Sequence, residues 1–186
     1  MFIIVAVSLL QHKYCFIMIK LSELSEVANL SMGESRYQRS GERVMSDKIA
    51  RNNGLRYGIV SLSNLNRYYI NIDEVDELPN DRLRLKKDDL LFCSRVNFFA
   101  KTFDYDNNIF VIPIAPIIVI RVRDTSILPK YLEILMNSSL VQRQLHKLTG
   151  TGFVNMISVT TLRTIQIKIP DIKTQEKIIK IYNINY

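Results

Sequence analysis

The stretch IKIPDIKTQEKI, residues 167–178, combines the end of a β-strand, a proline stop and the beginning of a helix. In the strand, isoleucines alternate with Gln166 and Lys168, which is the period of a strand with one buried face. These isoleucines are Ile165, Ile167 and Ile169. After the proline, Thr174 is predicted to cap a helix that carries a narrow apolar stripe, and such a stripe needs a packing partner. We therefore expect the strand to bury its isoleucine face and the helix to pack its stripe against a partner.

The remaining chain predicts an α+β fold, with a mixed, bent β-sheet and two or three packed helices. Runs rich in β-branched and aromatic residues predict strands at Tyr57–Leu65, Arg67–Ile72, Leu90–Arg95 and Phe110–Arg123. Two prolines in the last run predict a bend or an edge position, because proline cannot donate to a strand ladder. Between Pro129 and Gly150, apolar residues recur at helical spacing, with a break at Asn137–Ser139.

The composition is that of a basic globular protein. The 186 residues carry a net charge of +7, which favours a polyanionic partner, although a basic excess also serves solubility. Two cysteines and two histidines are too few for a disulfide framework or a structural zinc site, so we expect a cytoplasmic protein without metal or cofactor. The opening MFIIVAVSLL resembles a signal-peptide core without its preceding cations. We expect residues 1–17 to form a tail outside the fold and Met18 to be the functional start.

Patterns that would indicate catalysis are weak. Cys93 and His146 form a conceivable thiol and base pair, but Cys93 lies in an apolar strand, where thiols usually only pack. The segment PDIKTQEK contains the letters of a metal-dependent nuclease motif, with Asp171 and Glu176 crowded into one turn. An acidic turn that favours the helix dipole explains it better. We therefore predict no catalytic residue and no metal site.

Loop clusters of polar and basic residues point instead to nucleic-acid recognition. Arginine and glutamine can form paired hydrogen bonds with guanine and adenine edges, and the glycines of LTGTGF permit close approach to a phosphate. Each cluster taken alone is more typical of a solvated loop, but four of them on one basic domain favour nucleic acid. We expect Arg36, Gln38 and Arg39 at base edges and Arg95, Lys101 and Thr151 at the DNA backbone. The predicted DNA-binding set is Arg36, Tyr37, Gln38, Arg39, Arg95, Asn97, Lys101 and Thr151.

Three segments then occur in a recognisable order. They are IKLSELSEVANLSMG at 19–33, LKKDDLLFCSR at 85–95, and the run at 127–178 that joins LPKYL, ISVTTL, the alternating strand and Gln-x-x-Ile. This order resembles a target recognition domain of a type I restriction–modification specificity subunit, from Ile19 onward.

The resemblance implies a non-catalytic DNA-binding subunit in which two recognition domains, tied by long helices, each read half of a split site. On this basis residues 18–172 are expected to be one recognition domain and residues 173–186 the beginning of a C-terminal spacer helix. The implied partners are double-stranded DNA and the methyltransferase and nuclease subunits. A second copy or a second half-subunit is an open alternative, and no membrane partner is expected.

Two departures from the family pattern leave alternatives open. The family usually has glycines in the loop after the DDLL strand, but none occurs between Ser94 and Asp104, so Arg95 or Lys101 is expected to serve there. One recognition domain, not two, is present in the sequence. The chain is therefore interpreted as a half-subunit, or as a truncated remnant that only docks a methyltransferase subunit or has decayed. An RNA-binding or nuclease role is the weaker alternative.

Overall fold

The structure, a computed structural model, describes residues 17–20, 28–32, 56–75, 84–105, 109–123, 125–149 and 156–184. The strands are β1 (Ile17–Lys20), β2 (Ala28–Met32), β3 (Arg56–Val60), β4 (Asp73–Val75), β5 (Leu90–Cys93), β6 (Phe99–Thr102), β7 (Ile109–Pro113), β8 (Ile117–Val122) and β9 (Gln166–Ile169). The helices are α1 (Pro129–Met136), α2 (Ser139–Thr149), α3 (Val159–Leu162) and α4 (Ile172–Ile184). Within these ranges, no helix is long and apolar enough to cross a bilayer. The α+β class predicted from the sequence is confirmed.

A four-stranded antiparallel sheet in the order β2-β8-β5-β6 forms the centre of the fold. Leu90 and Phe92 of β5 pack into a core with the helices, whereas Leu91 and Cys93 pack into a second core with the sheet β4-β3-β7. Because both faces are covered, all four residues of β5 are buried. The continuous apolar run LLFC follows from this double burial.

The long apolar segment at 110–123 is divided between two sheets. β7 pairs with β3 in parallel, and β8 pairs with β2 and β5 antiparallel. The change of sheet occurs between Pro113 and Pro116, where proline removes a backbone donor. The predicted bend is therefore confirmed, and the three-stranded sheet β4-β3-β7 is mixed in direction.

The strand predicted at Arg67–Ile72 is wrong. Only an isolated bridge joins Leu65 to Ile70, and the residues between them form a tight turn. The Asn66 side-chain oxygen accepts the N–H groups of Tyr68 and Tyr69 at 2.7 and 3.0 Å, which is the hydrogen bonding of an Asx-turn. Aromatic residues that favour a strand by composition are here exposed at the turn.

The alternating strand and the two-helix break agree with the sequence pattern. Ile165, Ile167 and Ile169 are buried in the core that contains the helices, and β9 pairs antiparallel with β1. The helical run ends at Met136 and resumes at Ser139. Both predictions are therefore confirmed.

Helix α4 begins one turn differently from the prediction. Asp171, not Thr174, provides the cap, because its carboxylate accepts the Thr174 backbone N–H at 3.0 Å and the Thr174 hydroxyl at 2.7 Å. These hydrogen bonds lower the pKa of Asp171 below its ordinary value near 3.8. Asp171 thus precedes the helix in the capping position, and the first turn of α4 itself contains no acidic residue.

Gln175 ties α4 to the rest of the fold. Its side-chain oxygen accepts the Leu128 N–H at 2.8 Å, and its amide nitrogen donates to the carbonyls of Ser126 and Pro170, each at 2.8 Å. Gln175 is completely buried, and Ile178, one turn later, packs into the helical core. The Gln-x-x-Ile pattern therefore sets the direction in which α4 leaves β9.

Helix α1 protects the exposed edge of the central sheet at β6. The Asn137 side chain accepts the Ala100 N–H at 3.0 Å and donates to the Ala100 carbonyl at 2.8 Å. One turn earlier, Glu133 accepts the Thr102 N–H at 2.8 Å. An unpaired strand edge otherwise offers these groups to another chain. Glu133 of α1 and Asn137 at its C-terminal cap thus continue the ladder of β6.

Candidate nucleic-acid interface

A surface groove lies where the 66–69 turn, the β5–β6 loop and helix α2 approach one another. Its volume is about 360 Å³. The groove is lined by side chains that carry amides, aromatic rings, one guanidinium and one imidazole. These residues are Asn66, Arg67, Tyr68, Asn97, Phe98, Phe99, Gln142 and His146. Such a lining offers stacking surfaces, hydrogen-bond donors and positive charge, which are the groups that bind nucleic acid.

The β5–β6 loop forms one rim of the groove and turns sharply at its tip. The Asn97 N–H donates to the Arg95 carbonyl at 2.9 Å, which closes a three-residue γ-turn around Val96. Val96 has a φ of 65°. This left-handed conformation is unfavourable for a β-branched residue, and a γ-turn with positive central φ is rare. This loop contains no glycine, so Val96 holds a backbone conformation that glycine would adopt readily.

The base of this tip is held firmly. The Ser94 carbonyl accepts the Ile157 N–H at 2.8 Å, and the Ser94 hydroxyl donates to the Pro116 carbonyl. The Cys93 thiol donates to the Arg95 carbonyl at 3.3 Å, and Arg95 forms a bridge with Met156. The tip is therefore fixed by contacts with two other chain segments.

Two arginines supply positive charge at the groove. Arg67 and Arg95 are exposed, and neither forms an ion pair with a carboxylate in the described part of the chain. By contrast, Arg121 makes a bidentate pair with buried Asp89, at 2.7 and 2.6 Å. That hydrogen bonding raises the pKa of Arg121. The two groove arginines thus keep their charge available to a ligand.

The other groove walls come from helix α2 and the 66–69 turn. The His146 ring lies 5.6 Å from the Phe98 ring, centroid to centroid. The Gln142 amide nitrogen donates to the Met136 carbonyl at 2.9 Å. Tyr68 is 72% exposed at the turn. A ring exposed to this degree is suited to stacking on a base or sugar.

The residues predicted from the sequence to bind DNA fall into three groups. Arg95 and Asn97 lie at the tip of the β5–β6 loop, beside the groove. Lys101 lies on β6 with its amino group 3.7 Å from the Glu133 carboxylate, and its side chain is 20% exposed. The predictions for Arg36–Arg39 and Thr151 lie outside the described residues. The structure therefore groups two of the predicted residues and directs Lys101 toward a carboxylate.

Sequence reasoning missed Arg67, Tyr68, Gln142 and His146. The first two fall in the wrongly predicted strand, Gln142 was not singled out, and His146 was weighed only as a catalytic base. A usable signal was the asparagine before RYY, because asparagine followed by a tight turn commonly forms an Asx-turn. No local pattern indicates that α2 approaches that turn.

The thiol and imidazole weighed as a catalytic pair are not joined. Cys93 packs in the core beside the three-stranded sheet, and burial raises the pKa of its thiol. His146 contacts Phe98, which belongs to the other core. Asp171 is engaged as a helix cap. In the described part of the chain, no three histidine, cysteine or acidic residues are close enough to hold a metal ion.

Comparison with known proteins identifies the fold. No protein-family model and no curated protein matches the chain. Solved structures do match, and the first is the HsdS subunit from Thermoanaerobacter tengcongensis, at 16% identity and a TM-score of 0.59, covering 90% of this chain and 36% of that one. The fold is that of a type I restriction–modification S subunit.

Two further S-subunit-related structures support this assignment. A structure of a type I restriction–modification system, described for complex assembly and conformational transition, matches at 15% identity with a TM-score of 0.60. It covers 98% of this chain and 42% of that one. The S subunit from M. genitalium matches at 11% identity with a TM-score of 0.56, covering 92% and 39%. The present chain thus spans about two fifths of each matched chain, and the resemblance noted in the sequence is confirmed at the level of fold.

Proposed function

We propose that this chain recognises a specific sequence in double-stranded DNA, without catalysis, as the specificity component of a type I restriction–modification system. The observation that carries the proposal is that Arg67 lines an amide-lined and aromatic groove while Arg95 lies in the loop that forms its rim, both without carboxylate partners in the described ranges. The S-subunit-like fold supports this assignment. The protein acts in the cytoplasm and uses no cofactor.

Recognition divides into binding of the DNA backbone and reading of bases. Arginine side chains neutralise phosphates and release counterions, so affinity falls as salt rises. Arginine also bonds guanine, and asparagine bonds adenine, through two hydrogen bonds each. Arg67 is placed to hold a phosphate at the groove, with Arg95 and Asn97 at the tip beside it. Arg36, Tyr37, Gln38, Arg39, Lys101 and Thr151 remain proposed contacts from the sequence.

Partner subunits are proposed to dock through helix α4. Gln175, Ile178, Ile179 and Tyr182 pack this helix on the lobe, whereas Ile181 and Ile184 are exposed, Ile184 to 82%. A methyltransferase subunit, and through it a nuclease subunit, would assemble along this arm. A second copy of the chain, or a second half-subunit, would supply recognition of the other half of a split site.

The test is selection from a random duplex library with the full chain, alone and with a co-expressed methyltransferase subunit. We expect enrichment of one motif and methylation of that motif in the cell. Arg67→Ala and Arg95→Ala should each reduce the slope of log affinity against log salt by about 1. Arg163→Ala is the matched control, because Arg163 is also exposed but belongs neither to the groove lining nor to the β5–β6 loop.

Three outcomes would contradict the proposal. Enrichment of no motif in either preparation would remove sequence recognition. Equal effects of all three arginine substitutions would remove the groove from the interface. Tighter binding to single-stranded RNA than to duplex DNA would favour the RNA alternative.

A further inference from the structure

Val96 is an exposed apolar residue held in an unfavourable backbone conformation. Its side chain is 61% exposed, and its φ of 65° is one that glycine or asparagine adopts at far lower energetic cost. Neither solubility nor turn stability favours valine here. A strained residue that contributes nothing to the core is a reason to ask what its side chain contacts.

The surroundings of Val96 limit the answer to a ligand with polar and apolar groups side by side. Arg95 and Asn97 flank it, both exposed, and the side chain of neither hydrogen-bonds to another described residue. Met156, 51% exposed, lies across the bridge from Arg95 and extends the apolar surface. The positive charges of Arg67 and Arg95 favour a polyanion over an apolar protein surface.

Duplex DNA offers one apolar group at its base edges in the major groove, the 5-methyl group of thymine. Val96 is 61% exposed at the γ-turn of a loop whose base is held by the hydrogen bond between Ser94 and Ile157, and an exposed loop end of this kind can enter a groove of DNA. We propose that Val96 contacts a thymine methyl group in the major groove and is a specificity-determining residue. The inference rests on the proposed function and adds the base that this tip selects.

Replacing thymine by deoxyuridine tests the contact, because this change removes only the methyl group. With the selected duplex, we expect deoxyuridine at one thymine position of the motif to weaken wild-type binding about four-fold, as for one buried methyl-sized group. Deoxyuridine outside the motif should have no effect. Val96→Gly, which suits the positive φ and should therefore fold, is expected to bind both duplexes equally.

The results separate this inference from the proposed function. Failure to select any motif contradicts the proposed function itself. A selected motif without thymine, or a wild-type protein that is indifferent to every deoxyuridine replacement, overturns the inference alone. The inference is also overturned if Val96→Gly still binds the thymine duplex more tightly than the deoxyuridine duplex. Loss of the methyltransferase subunit from Val96→Gly, with unchanged thymine preference, would assign the tip to a protein contact instead.

Discussion

Replacing Gln175 by methionine should destabilise the fold and loosen helix α4. Methionine has a similar volume and no amide, so the substitution removes three hydrogen bonds while keeping the site filled. The groups left behind are the Leu128 N–H and the carbonyls of Ser126 and Pro170. Ser126 is exposed, so its carbonyl can bond to water, whereas the bond to Pro170 is buried.

The expected magnitude follows from these three bonds. A hydrogen bond contributes about 1 kcal/mol net, and an unpaired buried group costs about 1–3 kcal/mol. With the exposed Ser126 carbonyl discounted, we expect a loss of roughly 2–3 kcal/mol in the free energy of unfolding. For a domain of this size, that corresponds to a fall in Tm of roughly 5–10 °C. The loss is a large part of a typical total stability of about 5–15 kcal/mol.

Urea denaturation followed by circular dichroism measures this loss, with the midpoint compared at constant slope. Glu176→Met is the matched control, because Glu176 is the next residue and is exposed, so its replacement should change stability by less than about 0.5 kcal/mol. If Gln175→Met has the same free energy of unfolding as the wild type and this control, the amide does not hold α4. If both variants lose stability equally, the effect belongs to methionine on this helix and not to the hydrogen bonds.

Three further changes test separate parts of the fold. Glu133→Leu removes the acceptor of the Thr102 N–H at the sheet edge. We therefore expect urea denaturation to show a loss of about 1–3 kcal/mol in the free energy of unfolding, and sedimentation to show some self-association. Glu133→Gln, which keeps an acceptor, should lose less stability. Because the folded pKa of Asp171 lies below its ordinary value, its cap stabilises fully above about pH 4 and is lost as pH falls through the folded pKa. The Tm difference between wild type and Asp171→Ala should accordingly shrink from pH 7 to pH 2, and a constant difference would contradict the cap. Val96→Gly relieves a left-handed valine and should raise the free energy of unfolding by about 1 kcal/mol; a destabilised variant would show that the turn is not strained.

Local patterns predicted much of the scaffold. The alternation of Ile165, Ile167 and Ile169 identified a half-buried strand, and the interrupted apolar period around Asn137 identified two helices. Both patterns depend on neighbours within a few residues. The helix cap was misplaced because Asp171 and Thr174 both have capping side chains, and the choice depends on which residue is the first helical one.

The site was less predictable, because its parts are far apart in the chain. Arg95 and Asn97 were selected for their chemistry after a buried strand, and the absence of glycine drew attention to their loop. The left-handed φ of Val96 depends on the closure of that loop and is invisible in the residue letters. Tyr68 was not recognised as a site residue, because it was predicted to lie in a strand. Aromatic residues favour strands, and composition rarely distinguishes an exposed turn from a strand.

The sequence alone therefore determined the class of fold, the buried face of β9, the break between α1 and α2, and the resemblance that ends in Gln-x-x-Ile. Only the tertiary structure decided that Arg67, Asn97 and His146 share one groove and that Gln175 joins α4 to the lobe. The physical reason is the separation along the chain between the residues that act together. Hydrophobic periodicity records how one segment distributes its own side chains between core and water. Convergence of distant segments depends on strand pairing and helix packing, which no single segment encodes.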